Sequence, residues 1–239
     1  MRTVATVAAD NSRLSIIIPV LNEEGRIQAT LESLQPLRSK GHEIIVVDGG
    51  SHDTTISRCA SLADHILQSP PGRATQMQAG AVVSSGDILW FLHADSSVPG
   101  QAHRHITEAL TDANADWGRF DIALDDDHPL LRCVAWFMNQ RTQLTGIATG
   151  DQGIFIRRAL FAEIGGFPDV PLMEDIRISR SLKKHGRPCR VKARLGTSSR
   201  RWKNQGIART ILTMWSLRLA HFAGVSPERL ARYYSVTGG

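Results

Sequence analysis

The residues best able to do chemistry in this chain fall in a few short polar clusters, the sharpest being His93-Ala94-Asp95. It follows the apolar run Ile88 to Leu92 and precedes Ser96, Ser97 and a Pro99 expected to open a helix. A carboxylate one residue from an imidazole suits a divalent cation facing a phosphate-bearing ligand. A polar turn closing a core strand explains the same triplet without any ligand. Glu174 and Asp175 fall in the first turn of a predicted helix, where complementing the helix dipole is the alternative to catalysis. Asp151 and Gln152 lie between Gly150 and Gly153, and such glycines let backbone pass close to a ligand. Asp125-Asp126-Asp127 are dense in charge but lead into His128-Pro129, so they read as a solvated turn.

These clusters need elements to hold them. Leu14–Val20 is a β-branched run and reads as a first buried strand, its ladder ended by Pro19. Asn22 is placed to cap a helix whose first turn holds Glu23 and Glu24, with Ile27, Leu31, Leu34 and Leu37 at helical spacing. A second strand, Glu43–Val47, runs into Asp48-Gly49-Gly50-Ser51, where Ser51 or Asp53 can cap the next helix. His65–Leu67 is a short third strand, followed by Pro70-Pro71-Gly72 and a helix from Arg73 to about Ser84. The run that ends at Leu92 is the fourth strand. Strand and helix alternating with short polar joints predict an α/β fold, a mostly parallel sheet wrapped by helices. The carboxyl ends of parallel strands point one way, and ligands bind just beyond them. Beyond residue 101 the pattern predicts helices over about 101–111 and 130–144, an alternating strand over 117–124 and a short strand at Ile154–Ile156. The first joint, Val20 to Glu24, has no glycine, so neither G-x-G-x-x-G nor a P-loop is present, and a phosphate would need side chains and a metal.

Bulk properties narrow the class. At 239 residues and 42% hydrophobic content the chain can bury a sizeable core. The net charge is +5, and the basic residues crowd the last third. No nucleic-acid-binding motif accompanies that charge, so nucleic acid is not the expected partner. Cys59, Cys133 and Cys189 are widely spaced and odd in number, no secretory leader is evident, and a cytoplasmic location is expected. No apolar run approaches the roughly 20 residues of a membrane span. Ile207, Ile211, Trp215, Leu219 and Phe222 form a helical apolar stripe flanked by Arg209 and Arg218. Packing on its own domain is the first reading of that stripe, and docking of segment 204–225 on the inner face of a membrane is the second.

Read in order, IIIPVLNEE (16–24), VVDGGSHDTT (46–55), GRATQMQAG (72–80), FLHADS (91–96), GDQGIFIRR (150–158), GGFPDVPLMED (165–175) and SSRRW (198–202) resemble the family 2 glycosyltransferases of the GT-A fold. LHAD, GDQG and PLMED are similar to a bacterial subgroup of that family. The resemblance implies a Rossmann-like GT-A domain over 14–203, a lead-in over 1–13 and a C-terminal amphipathic helical segment over 204–239. It implies an inverting, metal-assisted transfer of sugar from a nucleoside-diphosphate sugar, most often a UDP-sugar, to a hydroxyl on a lipid, glycan or small metabolite. Pro19, Asn22, Glu23, Asp48 and Arg73 would then line the nucleotide site, with His93 and Asp95 at the D-x-D position for Mg²⁺ or Mn²⁺. His93 departs from that motif by replacing its first aspartate. Asp175 matches the general base, with Glu174 beside it. Asp151, Gln152, Arg200, Arg201 and Trp202 would face the acceptor or the diphosphate. Ser198 stands where processive members carry glutamine, so a single transfer is expected. A nucleotidyltransferase, or a nucleotide-sugar-binding module without turnover, is the alternative.

Overall fold

The computed structural model describes residues 12–238, without the side chains of Arg201 and of 234–238. The lead-in expected over 1–13 thus lies outside the described residues as far as residue 11. Arg13 is anchored, its backbone N–H donating to Asp87 and its guanidinium to Ser85.

Seven strands form one sheet in the order β3-β2-β1-β4-β6-β5-β7. They are β1 (Leu14–Val20), β2 (Glu43–Asp48), β3 (His65–Gln68), β4 (Ile88–Phe91), β5 (Trp117–Leu124), β6 (Phe155–Arg157) and β7 (Cys189–Thr197). Pairs β1–β2, β1–β4, β2–β3 and β5–β7 are parallel, and β6 runs antiparallel between β4 and β5. The helices are α1 (Ile27–Arg38), α2 (Thr55–Cys59), α3 (Arg73–Val83), α4 (Ala102–Asp112), α5 (Pro129–Thr145), α6 (Arg158–Glu163), α7 (Glu174–Leu182), α8 (Arg200–Gln205), α9 (Ile207–Phe222) and α10 (Pro227–Gly238).

Side chains alternate across each strand, so one strand feeds two cores. Ile16, Ile18, Val46 and Trp90 face α1 and α4, where Ile27, Leu31 and Ile106 complete the layer. Ile17, Val47, Leu89 and Phe91 face the other way, against Met77 of α3, Phe161 of α6 and Ile178 of α7. Gly80 lets α3 lie close on the sheet, since a Cβ there would stand 2.6 Å from Ile17.

Several local expectations change. Pro19 does not end β1, because the strand continues to Val20 in register with β2. Leu92 N–H donates to the Ile17 carbonyl, so the β4 side of β1 takes odd-numbered residues, and pairing with β4 stops at Ile17. The missing N–H of Pro19 therefore removes no ladder bond. Asn22 is not a helix cap: it adopts φ 53°, and α1 starts at Ile27. Likewise α4 starts at Ala102, beyond Pro99. Strand β5 does not alternate, because Arg119 and Asp121 are buried as an ion pair, with Arg190 closing on the same carboxylate at 2.6 Å. Among the described residues no helix is long and apolar enough to cross a membrane.

Candidate functional site

The polar joints meet at the carboxyl edge of the sheet and brace one another. Asn22 donates its N–H to Ser51 Oγ (2.9 Å) and accepts from the His52 N–H (2.9 Å), while Glu23 N–H donates to Thr55 Oγ1 (2.8 Å). Asp48 is buried, and its carboxylate accepts the Ser51 N–H (3.0 Å) and O–H (2.6 Å). That carboxylate therefore shapes the Gly49-Gly50 turn. Beneath both joints Gln76 donates through Nε2 to the carbonyls of Val20 (2.9 Å) and Val47 (2.7 Å). Sequence reading missed Gln76, because a glutamine in a small-residue helix carries no signature until the strand ends are seen beside it.

Glu23 marks the centre of the first half-site. Burial pushes its carboxyl up, the Asp95 carboxylate pushes it further, and Arg200, Arg73 and Arg26 oppose the shift. Charges that act on one carboxyl in this way share a neighbourhood. The first joint, the start of α3, the turn after β4 and the start of α8 thus converge as expected, and Arg26 joins them unforeseen. Arg200 is brought in by a tether: Asp125 accepts the Ser199 N–H at 2.6 Å and pairs with Arg26 at 3.6 Å. Asp126 pairs with Lys203 at 2.6 Å. Asp125 and Asp126 consequently clamp the start of α8, while the run itself is the exposed turn that was expected, with Asp125 and Asp127 open to solvent. Trp202 is half-buried on α8, and the side chain of Arg201 lies outside the described residues.

The second half-site centres on Asp175, half-buried at the start of α7. Its Oδ1 accepts the Ile176 N–H (2.7 Å) and its Oδ2 the Gly150 N–H (3.2 Å). Burial raises the carboxyl to about 7, and the charges of Glu174 and Asp151 add to the shift. The helix first turn does not hold it fully ionised, as dipole reasoning alone would have it, because desolvation outweighs those N–H donors. Arg141 of α5, also missed in the sequence, faces the charges of Asp151 and Asp175 and donates to Thr149 Oγ1 at 3.1 Å. Burial depresses the Arg141 pKa. Gln152 is fully buried, its Oε1 accepting from Thr142 Oγ1 (2.7 Å) and the Thr149 N–H (3.1 Å). It shapes the 149–152 turn instead of facing a ligand.

The two half-sites adjoin through Gly150. A Cβ at Gly150 would stand 2.6 Å from His93 Nε2, so the imidazole seats against the same residue whose N–H reaches Asp175. The loop is stitched to β4 on its other side as well, with Trp90 Nε1 donating to the Gly153 carbonyl (3.2 Å) and Phe91 N–H to that of Ile154 (2.9 Å). Ser179 Oγ ties α7 to Ala148, 3.1 Å from both its N–H and its carbonyl.

No cluster of three or more His, Cys, Asp or Glu poised to hold a metal occurs among the described residues. The donors present are one carboxylate at Asp95, the Glu23 carboxyl whose charge it opposes and the nearby His93. This set fits a hard divalent cation only if a bound diphosphate completes the coordination.

The glycosyl transferase family 2 profile matches residues 15–165. The chain belongs to that family. It is 27% identical to the probable glycosyltransferase YdaM of Bacillus subtilis over 191 residues, covering 70% of this chain and 46% of that one. It spans less than half the length of the curated relatives it matches. The fold is that of GT-A glycosyltransferases. Staphylococcus aureus TarS 1–349, solved in complex with UDP-GlcNAc, superposes with a TM-score of 0.63 at 17% identity, over 78% of this chain and 58% of that one. The Pyrobaculum calidifontis mannosyltransferase PcManGT, solved with GDP-Man and Mn²⁺, gives 0.59 at 20% identity, over 89% and 67%.

Proposed function

We propose that this family 2 protein transfers a sugar from a nucleoside-diphosphate sugar to an acceptor hydroxyl with inversion, using Asp175 as general base. The observation that carries the reading is Gly150, which touches the donor-side His93 and donates to the acceptor-side Asp175. A base and a phosphate-facing motif that both pack against one loop residue can act on opposite faces of one anomeric carbon.

Asp175 takes the acceptor proton as the hydroxyl oxygen bonds to the anomeric carbon. The bond from that carbon to the phosphate oxygen breaks, and its electron pair leaves with the nucleoside diphosphate. Base assistance of this kind contributes about 10²–10⁴-fold, and a carboxyl near neutrality is well matched to it. Glu174 and Asp151 keep the base strong by opposing its charge. Asn22, Pro19 and the turn shaped by Asp48 line the nucleoside side, while Arg73, Arg200 and Arg26 face the diphosphate. Asp95, with His93 alongside, would hold Mg²⁺ or Mn²⁺, which when bound supplies charge neutralisation for the departing phosphate. TarS with UDP-GlcNAc and PcManGT with GDP-Man and Mn²⁺ support a nucleotide-sugar donor and a divalent cation, and a UDP-sugar is the first donor to test.

The test is thermal shift with UDP-, GDP- and dTDP-sugars, each with and without Mn²⁺. The reading expects one nucleotide class to raise the melting temperature only with metal, and no shift from any of them would reject it.

A further inference from the structure

We propose that the outer face of α9 docks on an anionic lipid bilayer. Leu212, Trp215, Leu219 and Phe222 are 70%, 60%, 63% and 58% exposed. At 100° per residue they fall within an arc of roughly 80°. The opposite side of the helix, Thr210, Leu217 and His221, is buried against the domain. Trp215, Leu219 and Phe222 of the expected stripe, joined by Leu212, are therefore surplus to the fold, contrary to the first reading of the stripe as core-facing, while its Ile207 and Ile211 are half-buried.

Charge indicates what covers it. Arg209 and Arg218 flank the stripe, one on each side, and the helix carries no acidic residue. From Ile176 to Pro227 the chain contains neither Asp nor Glu, while Arg177, Arg180 and Arg194 add to the basic count. The Arg180 guanidinium lies 4.9 Å from the centre of the Phe222 ring, at one end of the stripe. Arginines beside an apolar face carrying tryptophan match the headgroup boundary of an anionic membrane, with the helix lying in its plane. At about 24 Å, α9 is suited to lying in the interface, and it is too short and too polar to span. A second copy of the chain is a poorer occupant. Four side chains offer a few hundred Å², well below the roughly 800 Å² a side of a stable interface, and like charges would meet.

The experiment is co-sedimentation of the 239-residue chain with phosphatidylcholine vesicles, with and without phosphatidylglycerol. We expect binding at least about tenfold tighter with phosphatidylglycerol and lost at high salt. Trp215→Ser with Leu219→Ser should abolish it, and Arg209→Glu with Arg218→Glu should weaken it by about tenfold or more, each with an unchanged melting curve. No binding to anionic vesicles, equal binding to both vesicles, or binding indifferent to both double variants would overturn the proposal. So would a dimer in light scattering that the Trp215→Ser, Leu219→Ser variant dissolves while vesicle binding persists. Lipid binding is read without turnover, so its failure leaves the transfer reading untouched.

Discussion

At the scale of single residues, Gly150 does two things, and the first of them requires the absence of a side chain. It leaves room for the His93 imidazole and turns its N–H toward Asp175. Gly150→Ala should keep the fold yet lower kcat by at least about tenfold, since small displacements of a reacting group are costly. Because His93 itself belongs to the donor side, the contact is read by melting temperature: adding His93→Ala should recover part of any stability that Gly150→Ala loses, and a double variant no more stable than Gly150→Ala would show that the steric contact is irrelevant. Asp175 carries a pH signature as well. Its folded pKa, about 7, lies above its ordinary carboxyl value, so the folded state holds a proton that the unfolded chain releases between roughly pH 4 and 7. Its contribution to stability is complete below pH 4 and lost as pH rises through 7, while base activity rises over the same upper range. Melting curves from pH 5 to 8 should show Asp175→Asn gaining on the parent as pH increases, and a constant difference would refute the shift. His93, Asp95, Glu174 and Asp175 stood out as candidates in the sequence because their types and order match known chemistry, and the structure sets His93 and Asp175 against the same glycine. Arg26 and Arg141 did not stand out, because an arginine in or just before a helix has no local signal for the charge it will face.

Among the elements, the four alternating strands and helices were readable from apolar runs and glycine-bearing joints. Strand β6 was recognised as a strand, but its antiparallel place between β4 and β5 depends on pairing that no local pattern encodes. Strand β5 misled for a related reason, since its polar positions mimic a solvent face while Arg119 and Asp121 satisfy each other inside. Joints were the least legible part. Asn22 looks like a cap, yet the chain spends four more residues bracing against 51–55 before α1 begins. Gln76 holds that arrangement from below, so Gln76→Ala should cost about 1–3 kcal/mol by leaving the buried carbonyls of Val20 and Val47 unpaired. Chemical denaturation checks this, and a loss under about 0.5 kcal/mol would mean that water replaces the amide.

For the whole molecule, the mostly parallel sheet sends the joints after its parallel strands to one edge, where the amino end of antiparallel β6 brings the 149–152 turn as well, and leaves the opposite edge to structure. There Glu43 is buried and bonded by Ser15, Ser85 and Gly86, which hold its carboxyl below the usual range against the cost of burial. Asp95→Ala, at the functional edge, should remove the metal dependence of donor binding by calorimetry without disturbing this network. An unchanged metal dependence would dismiss Asp95 as a ligand. The central claim is that donor and base share one cleft and divide the labour between binding and chemistry. Its most direct measurement sets donor affinity beside transfer rate in Asp175→Asn. The account predicts wild-type affinity for the nucleotide sugar with transfer reduced about 10²–10⁴-fold. Undiminished transfer, or affinity and transfer falling together, would contradict it.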